Sequence, residues 1–158
     1  MIFSSPLQLP VRPSVIFMQE LASDGLSFTA DSEPGVVLTT DRLSEHLIVE
    51  GPWLMYRRGR YFLFYSSSWV QLASYHVGVA ASESVGGPYT KTEVPVIQTA
   101  EVREGGFAGP GHGSVVEDRE GSWWFVYAVW RAGLLNTWPP GRIMMLDKIT
   151  WSVTQSQL

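Results

Sequence analysis

The chain has 158 residues, of which 45% are hydrophobic and 13% aromatic; its formal net charge is -4 and it contains no cysteine. That is enough apolar material for one ordinary domain with a core, and the missing thiols exclude disulfides and thiolate metal sites. With no Lys/Arg block, the sequence offers no electrostatic footprint for a nucleic-acid backbone or an anionic membrane surface, which favours a neutral ligand.

Residues 1–14 begin without a basic n-region and carry Pro6 and Pro10 where a signal peptide needs an uninterrupted apolar stretch, so this chain shows no signal peptide, and no later apolar run approaches membrane-spanning length. Val15, Ile16, Phe17 and Met18 predict a strand, closed by the turn chemistry of Ser23-Asp24-Gly25. Leu26 to Thr29 and Gly35 to Thr39 predict two further short strands, and Asp41 to Leu47 a helical turn or loop in which His46 is a solvated histidine.

Val49-Glu50-Gly51-Pro52-Trp53 sets one carboxylate beside a glycine, a proline and an indole, just before a β-forming run. A carboxyl group held against apolar and aromatic surface is poorly solvated as an anion, so such a group is suited to general acid work. The competing reading is a polar residue at a strand start. Trp53 to Tyr65 reads as a hairpin around Arg57-Arg58-Gly59, and Tyr75 to Ala81 as the next strand, with His76 an ordinary strand histidine. The glycine-dense stretch Gly105 to Gly113 reads as a loop, because neither Lys-Ser/Thr nor a helical pattern follows it as in a phosphate loop. Glu117 to Gly121 predicts a second charged turn, Ser122 to Tyr127 a second aromatic strand, Arg142 to Leu146 a last strand, and Ile149 to Val153 an edge segment. No long amphipathic helix is predicted.

Gly59-Arg-Tyr-Phe-Leu-Phe-Tyr65 and Gly121-Ser-Trp-Trp-Phe-Val-Tyr127 repeat one order of residue types at an offset of 62. The same offset pairs Glu50-Gly51 with His112-Gly113. Antiparallel β units at a fixed period predict propeller blades whose inner strands begin near a central axis. Glu50 and His112 are then expected to be equivalent by pseudo-rotation. The chain holds about two and a half such units, whereas closed propellers have four or more blades.

At Glu50-Gly51-Pro52, Gly59 to Ser66, Gly78-Val-Ala-Ala-Ser82, Gly87-Pro-Tyr89, Gly109-Pro-Gly-His-Gly-Ser114 and Gly121 to Tyr127, the sequence resembles glycoside hydrolase family 43. The likeness runs from about Val15 to Trp151. It implies an all-β fold, a partial five-bladed β-propeller of about two and a half to three blades of antiparallel four-stranded sheets. It divides residues 1–158 into a start over 1–14, a blade leading into the acid loop over 15–49, an acid-bearing blade over 50–111 and a last blade over 112–158.

By resemblance the activity is inverting hydrolysis of arabinose- or xylose-containing polysaccharides, with Glu50 as general acid. The partner is an oligo- or polysaccharide. No cofactor is required, although a calcium in the propeller pore is possible by resemblance. His112 matches the Gly-Pro-Gly-His motif, lining the pore and reaching that calcium through water. Arg142 matches an arginine near the active site, and Trp53 is a candidate to stack on a sugar, as are Trp69 and Trp130, while Trp123, Trp124, Tyr61 and Phe62 are read as core. The base and a second, tuning aspartate come from earlier blades in the family. Asp24, Asp31 and Asp41, which precede Glu50 here, match neither, so the resemblance implies that missing blades would have to come in cis and that the chain alone is inactive. It also departs at Tyr127-Ala128-Val129-Trp130, where many relatives have a histidine after the tyrosine. The resemblance slightly favours an extracellular parent. The alternatives are a non-catalytic carbohydrate-binding fragment and a piece that does not fold stably.

Overall fold

The computed structural model describes residues 1–4, 12–99 and 106–151. Among these residues, ten strands and one 3-10 turn follow one another as β1 (Ile2–Ser4), β2 (Val15–Met18), β3 (Gly35–Thr39), the turn Leu43–Glu45, β4 (Val49–Arg57), β5 (Arg60–Ser67), β6 (His76–Ser82), β7 (Thr90–Lys91), β8 (Phe107–Glu117), β9 (Trp123–Arg131) and β10 (Ile143–Lys148). They form three antiparallel sheets in chain order: β1-β2-β3, then β4-β5-β6-β7, then β10-β9-β8. The described residues thus give sheets of three, four and three strands, where four were expected in each.

Alternation along the strands explains the stacking. In β5, Leu63 and Tyr65 face one way and join Ile16 and Leu38 of the first sheet in a buried cluster. Phe62 and Phe64 face the other way and meet Val115, Phe125, Tyr127 and Val129 of the third sheet. Phe64 and Phe125 stack across that seam with ring centroids 5.4 Å apart, and burying one such ring contributes about 1.5–3 kcal/mol. The middle sheet is covered on both faces, and the three sheets succeed one another like consecutive blades of a β-propeller.

The hairpin of β4 and β5 closes through Arg58 and Gly59, both at positive φ (49° and 82°), the geometry that a two-residue hairpin turn requires. The second hairpin is one residue longer. Arg57 pairs with Arg60 across the first turn, whereas Asp118 N donates to Ser122 O across Arg119, Glu120 and Gly121 in the second.

Two expectations need correction. Leu26 to Thr29 is not a strand; Phe28 makes only an isolated bridge to Leu21, since the turn below it is held by Asp24, whose Oδ1 accepts from Leu26 N at 2.8 Å. The glycine-dense stretch is not a loop over its described part. From Phe107 onward it is the first half of β8, with register shifts between Ala108 and Gly111 and between Gly111 and Ser114; the glycines serve bulges and close approaches. Of the expected edge segment, residues 149–151 carry no strand, Ile149 N donating to Trp123 O at 2.8 Å, and the residues from 152 on lie outside the described residues, as does Gly105.

Candidate active site

Glu50 stands at the start of β4, opposite Ser66 of β5. The ladder slips between Glu50 and Trp53, where Gly51 takes φ 53° and Pro52 has no N–H to donate. This bulge turns the end of β4 out of the regular pleat. Tyr75, fully buried just before β6, donates its hydroxyl to Glu50 Oε1 at 2.6 Å. Burial first, and the charge of Glu50 second, push the Tyr75 phenol well above its ordinary pKa, so it remains a proton donor across the working range. Its ring lies against Gly111, where an added Cβ would fall 2.2 Å from Tyr75 Cε1.

Arg142 closes the other side. Its guanidinium carbon stands 5.1 Å from the Tyr75 ring centroid, a cation–π contact. Nη2 donates to the backbone oxygens of Ala128 at 2.5 Å, Gly109 at 2.9 Å and, at longer range, Gly111 at 3.4 Å. Burial lowers the Arg142 pKa from its usual value, while Tyr75 and Glu50 oppose that shift. The guanidinium stays charged at any physiological pH. Glu50, Tyr75 and Arg142 thus form one chain of contacts that ties the start of β4 and the entry to β6 to β8 and β9.

His112 joins from β8. Its backbone N–H donates to Ser66 Oγ at 2.6 Å, and a Cβ on Gly51 would come 3.2 Å from its Nδ1. The sequence reading of His112 as the counterpart of Glu50 is off by one. Gly111 pairs with Ala128 as Glu50 pairs with Ser66, and His112 shares the positive φ of Gly51, 56° against 53°. The cause is the extra residue in the second turn, which sets β8 one position back relative to β9. Glu50 and His112 are neighbours at the site, but not rotational equivalents.

Trp53, three residues along β4, is 41% exposed, as is Trp69. Trp130 is not available to a ligand: it is 2% exposed and its Nε1 donates to Val70 O at 2.6 Å. The aspartates before Glu50 are engaged elsewhere or on the surface. Asp24 caps its own turn, Asp31 is exposed, and Asp41 pairs with Lys91 Nζ at 2.6 Å. His46 is exposed, with Nδ1 2.8 Å from Ser68 Oγ, and His76 is buried against Ser74 O.

A second tyrosine–glutamate pair escaped the sequence reading. Glu45, 1% exposed, accepts from Tyr65 OH at 3.2 Å, from Asp41 N at 2.9 Å and from Lys91 Nζ at 2.8 and 2.9 Å. Saturated by a cation and a backbone donor, this carboxylate is an anchor for the turn that leads into β4 rather than a proton donor. Tyr75 and Ser66 were also missed, for they sit in stretches that read only as strand. A cavity of about 570 Å³ lies between the second and third sheets, lined by Phe62, Phe64, Ile97, Phe125 and Trp151 among others; it includes none of Glu50, Tyr75, His112 or Arg142 and is an opening in the apolar seam.

Among the described residues, no group of three or more His, Cys, Asp or Glu could hold a metal ion. Calcium takes six to eight oxygen ligands, and one imidazole does not make such a site, so the residues described do not by themselves fit it.

The comparisons with known proteins bear on the fold and the family. The thermostable family-43 glycoside hydrolase superposes with a TM-score of 0.74 at 25% identity, covering 89% of this chain and 45% of that one. The alpha-L-arabinofuranosidase from Lactobacillus brevis gives 0.79 at 23%, covering 97% and 49%. The xylan beta-1,4-xylosidase from Bacillus halodurans C-125 gives 0.76 at 19%, covering 97% and 29%. The chain therefore spans less than half the length of each of these structures. Residues 5–154 match the family described as glycosyl hydrolases family 43. Three consecutive propeller sheets, a Glu-Gly-Pro bulge at their inner end and a match along nearly the whole sequence make this chain a member of that family.

Proposed function

We propose that Glu50 is the general acid of an inverting glycosidase site and that this chain carries the acid without its base. In that reaction a carboxylic acid protonates the departing glycosidic oxygen as the bond to the anomeric carbon breaks, while a second carboxylate about 6.5–9.5 Å away deprotonates the attacking water. The observation that carries the reading is the Tyr75 hydroxyl on Glu50 Oε1: it fixes the carboxyl group and leaves Oε2 to bear the transferred proton. Arg142 holds Tyr75 from behind, and contributes a hydrogen bond to a sugar hydroxyl. His112 lines the site, and Trp53 offers its exposed indole to a sugar face. Asp24, Asp31 and Asp41, engaged or exposed as described, supply no base. The substrate class is an arabinose- or xylose-containing oligo- or polysaccharide.

A second reading, a carbohydrate-binding fragment without catalysis, is favoured by the exposure of Trp53. Calorimetric titration with arabino- and xylo-oligosaccharides separates the two. The glycosidase reading expects binding to weaken in both Glu50→Ala and Trp53→Ala. Binding that is indifferent to Glu50→Ala but lost in Trp53→Ala would favour the module.

A further inference from the structure

Tyr75 fixes the Glu50 carboxyl group, but a side chain at a strand end is placed no better than the backbone that carries it. Among the described residues, β4 lies at one end of its sheet and pairs only with β5, so its other edge has no strand to hold it. Successive residues of a strand turn their N–H and C=O groups to opposite edges. At Val49, the residue before Glu50, both groups meet one hydroxyl: Ser14 Oγ accepts from Val49 N at 2.7 Å and donates to Val49 O at 2.9 Å. A serine hydroxyl can take both roles, and here it does what the two groups of a neighbouring strand would do. Ser14 N also donates to Leu47 O at 2.9 Å.

Three features make this contact bear on Glu50 rather than on the strand at large. Ser14 is 3% and Val49 0% exposed, so water does not compete for either bond, and loss of the hydroxyl leaves two buried backbone groups unpaired. Ser14 stands directly before β2, and Ile16 of β2 shares one buried cluster with Val49 and Leu63, which makes the first sheet a fixed base for the contact. Beyond Glu50 the chain is restrained less, since the ladder slips as far as Trp53 and Pro52 has no N–H. Glu50 is thus set from its N-terminal side. A general acid has to stand within hydrogen-bond reach of the oxygen that it protonates, and a misplacement of about 1 Å can cost about 100-fold in rate. We propose that Ser14 is a positioning residue for Glu50: by holding Val49 to the first sheet, its hydroxyl sets the place at which the Glu50 carboxyl group meets Tyr75. This role rests on the reading of Glu50 as the acid.

Carbon NMR of the chain with its tyrosines isotope-labelled at Cζ tests this role. At neutral pH the Tyr75 phenol is protonated, so its resonance reads the hydrogen bond to Glu50. Tyr75→Phe assigns the signal among the six tyrosines, and Glu50→Gln gives the displacement that goes with loss of a charged acceptor. Ser14→Ala is expected to move the Tyr75 resonance in the same direction, while Tyr56, towards the far end of β4, stays where it is. Circular dichroism checks that the variant keeps a cooperative melt. If it does not, Ser14→Cys, close in size but with a weakly bonding thiol, takes its place under the same criteria. A Tyr75 resonance that Ser14→Ala leaves unmoved, though Glu50→Gln displaces it, overturns the role of Ser14 and leaves Glu50 as the acid. So does movement of Tyr56 together with Tyr75, which marks a general loosening of β4. No displacement in Glu50→Gln removes the contact itself, and overturns the role of Ser14 together with the placement of Glu50.

Discussion

Arg142 is the residue whose replacement bears most sharply on how the site is held. Arg142→Met keeps much of the apolar stem but removes the Nη2 donor to Ala128 O, Gly109 O and Gly111 O and the cation over the Tyr75 ring. Hydrogen bonds from a charged group are worth about 1.5–3 kcal/mol each. Three that share one nitrogen are not additive, and Arg142 is only half-buried, so the expected loss is about 2–4 kcal/mol. In a domain of this size each kcal/mol moves the melting midpoint by about 2–4 °C, so Arg142→Met should melt roughly 5–15 °C below wild type. Arg142→Lys restores the charge but cannot span carbonyls on both β8 and β9, and should recover less than half of the loss. Differential scanning calorimetry checks both. If Arg142→Met melts within a degree or two of wild type, the guanidinium does not clamp the strand ends, and its place is better explained by a ligand alone.

Three further outcomes follow from the same contacts. Lys91→Met strands the buried carboxylate of Glu45 and should cost about 3–5 kcal/mol by urea unfolding, whereas Lys91→Met combined with Glu45→Leu should return much of it. Gly111→Ala drives a methyl group into the Tyr75 ring and should cost about 1–3 kcal/mol, while Gly86→Ala, with nothing near its Cβ, should be neutral in the same thermal melt. The hydrogen bond and charge of Lys91 hold the Asp41 carboxyl below its usual pKa. A depressed carboxylate contributes stability above its unfolded pKa, about 3.9, and loses it as pH falls through the lower folded value, so Asp41→Asn should lower stability at neutral pH, converge with wild type in acid, and so flatten the acid limb of a pH–stability curve below about pH 4.

The sequence disclosed the strands that alternate strongly or carry aromatic runs, and the positions of both charged turns. It disclosed Glu50 because a Glu-Gly-Pro triplet combines a carboxylate with the two residues that break a ladder. It could not disclose Tyr75, since a tyrosine opening an apolar strand reads the same whether its hydroxyl meets water or a carboxylate. Nor could it place Arg142 against three backbone oxygens, one on β9 and two on the bulged stretch of β8, which a glycine-dense run only hints at. Counting residues between repeats put His112 opposite Glu50, and one added turn residue moved the true counterpart to Gly111. Glu45 was missed because a charged residue in a polar stretch gives no sign that a lysine 46 residues later will bury it.

The central claim is an acid held ready with no base beside it, and hydrolysis measures it most directly. The folded, purified 158-residue chain is incubated with aryl arabinofuranoside, aryl xyloside and the corresponding oligosaccharides, with Glu50→Gln in parallel. No sugar release above the Glu50→Gln background is the expected result; release by the wild-type chain that vanishes in Glu50→Gln would show that a base is present in this chain and contradict the account.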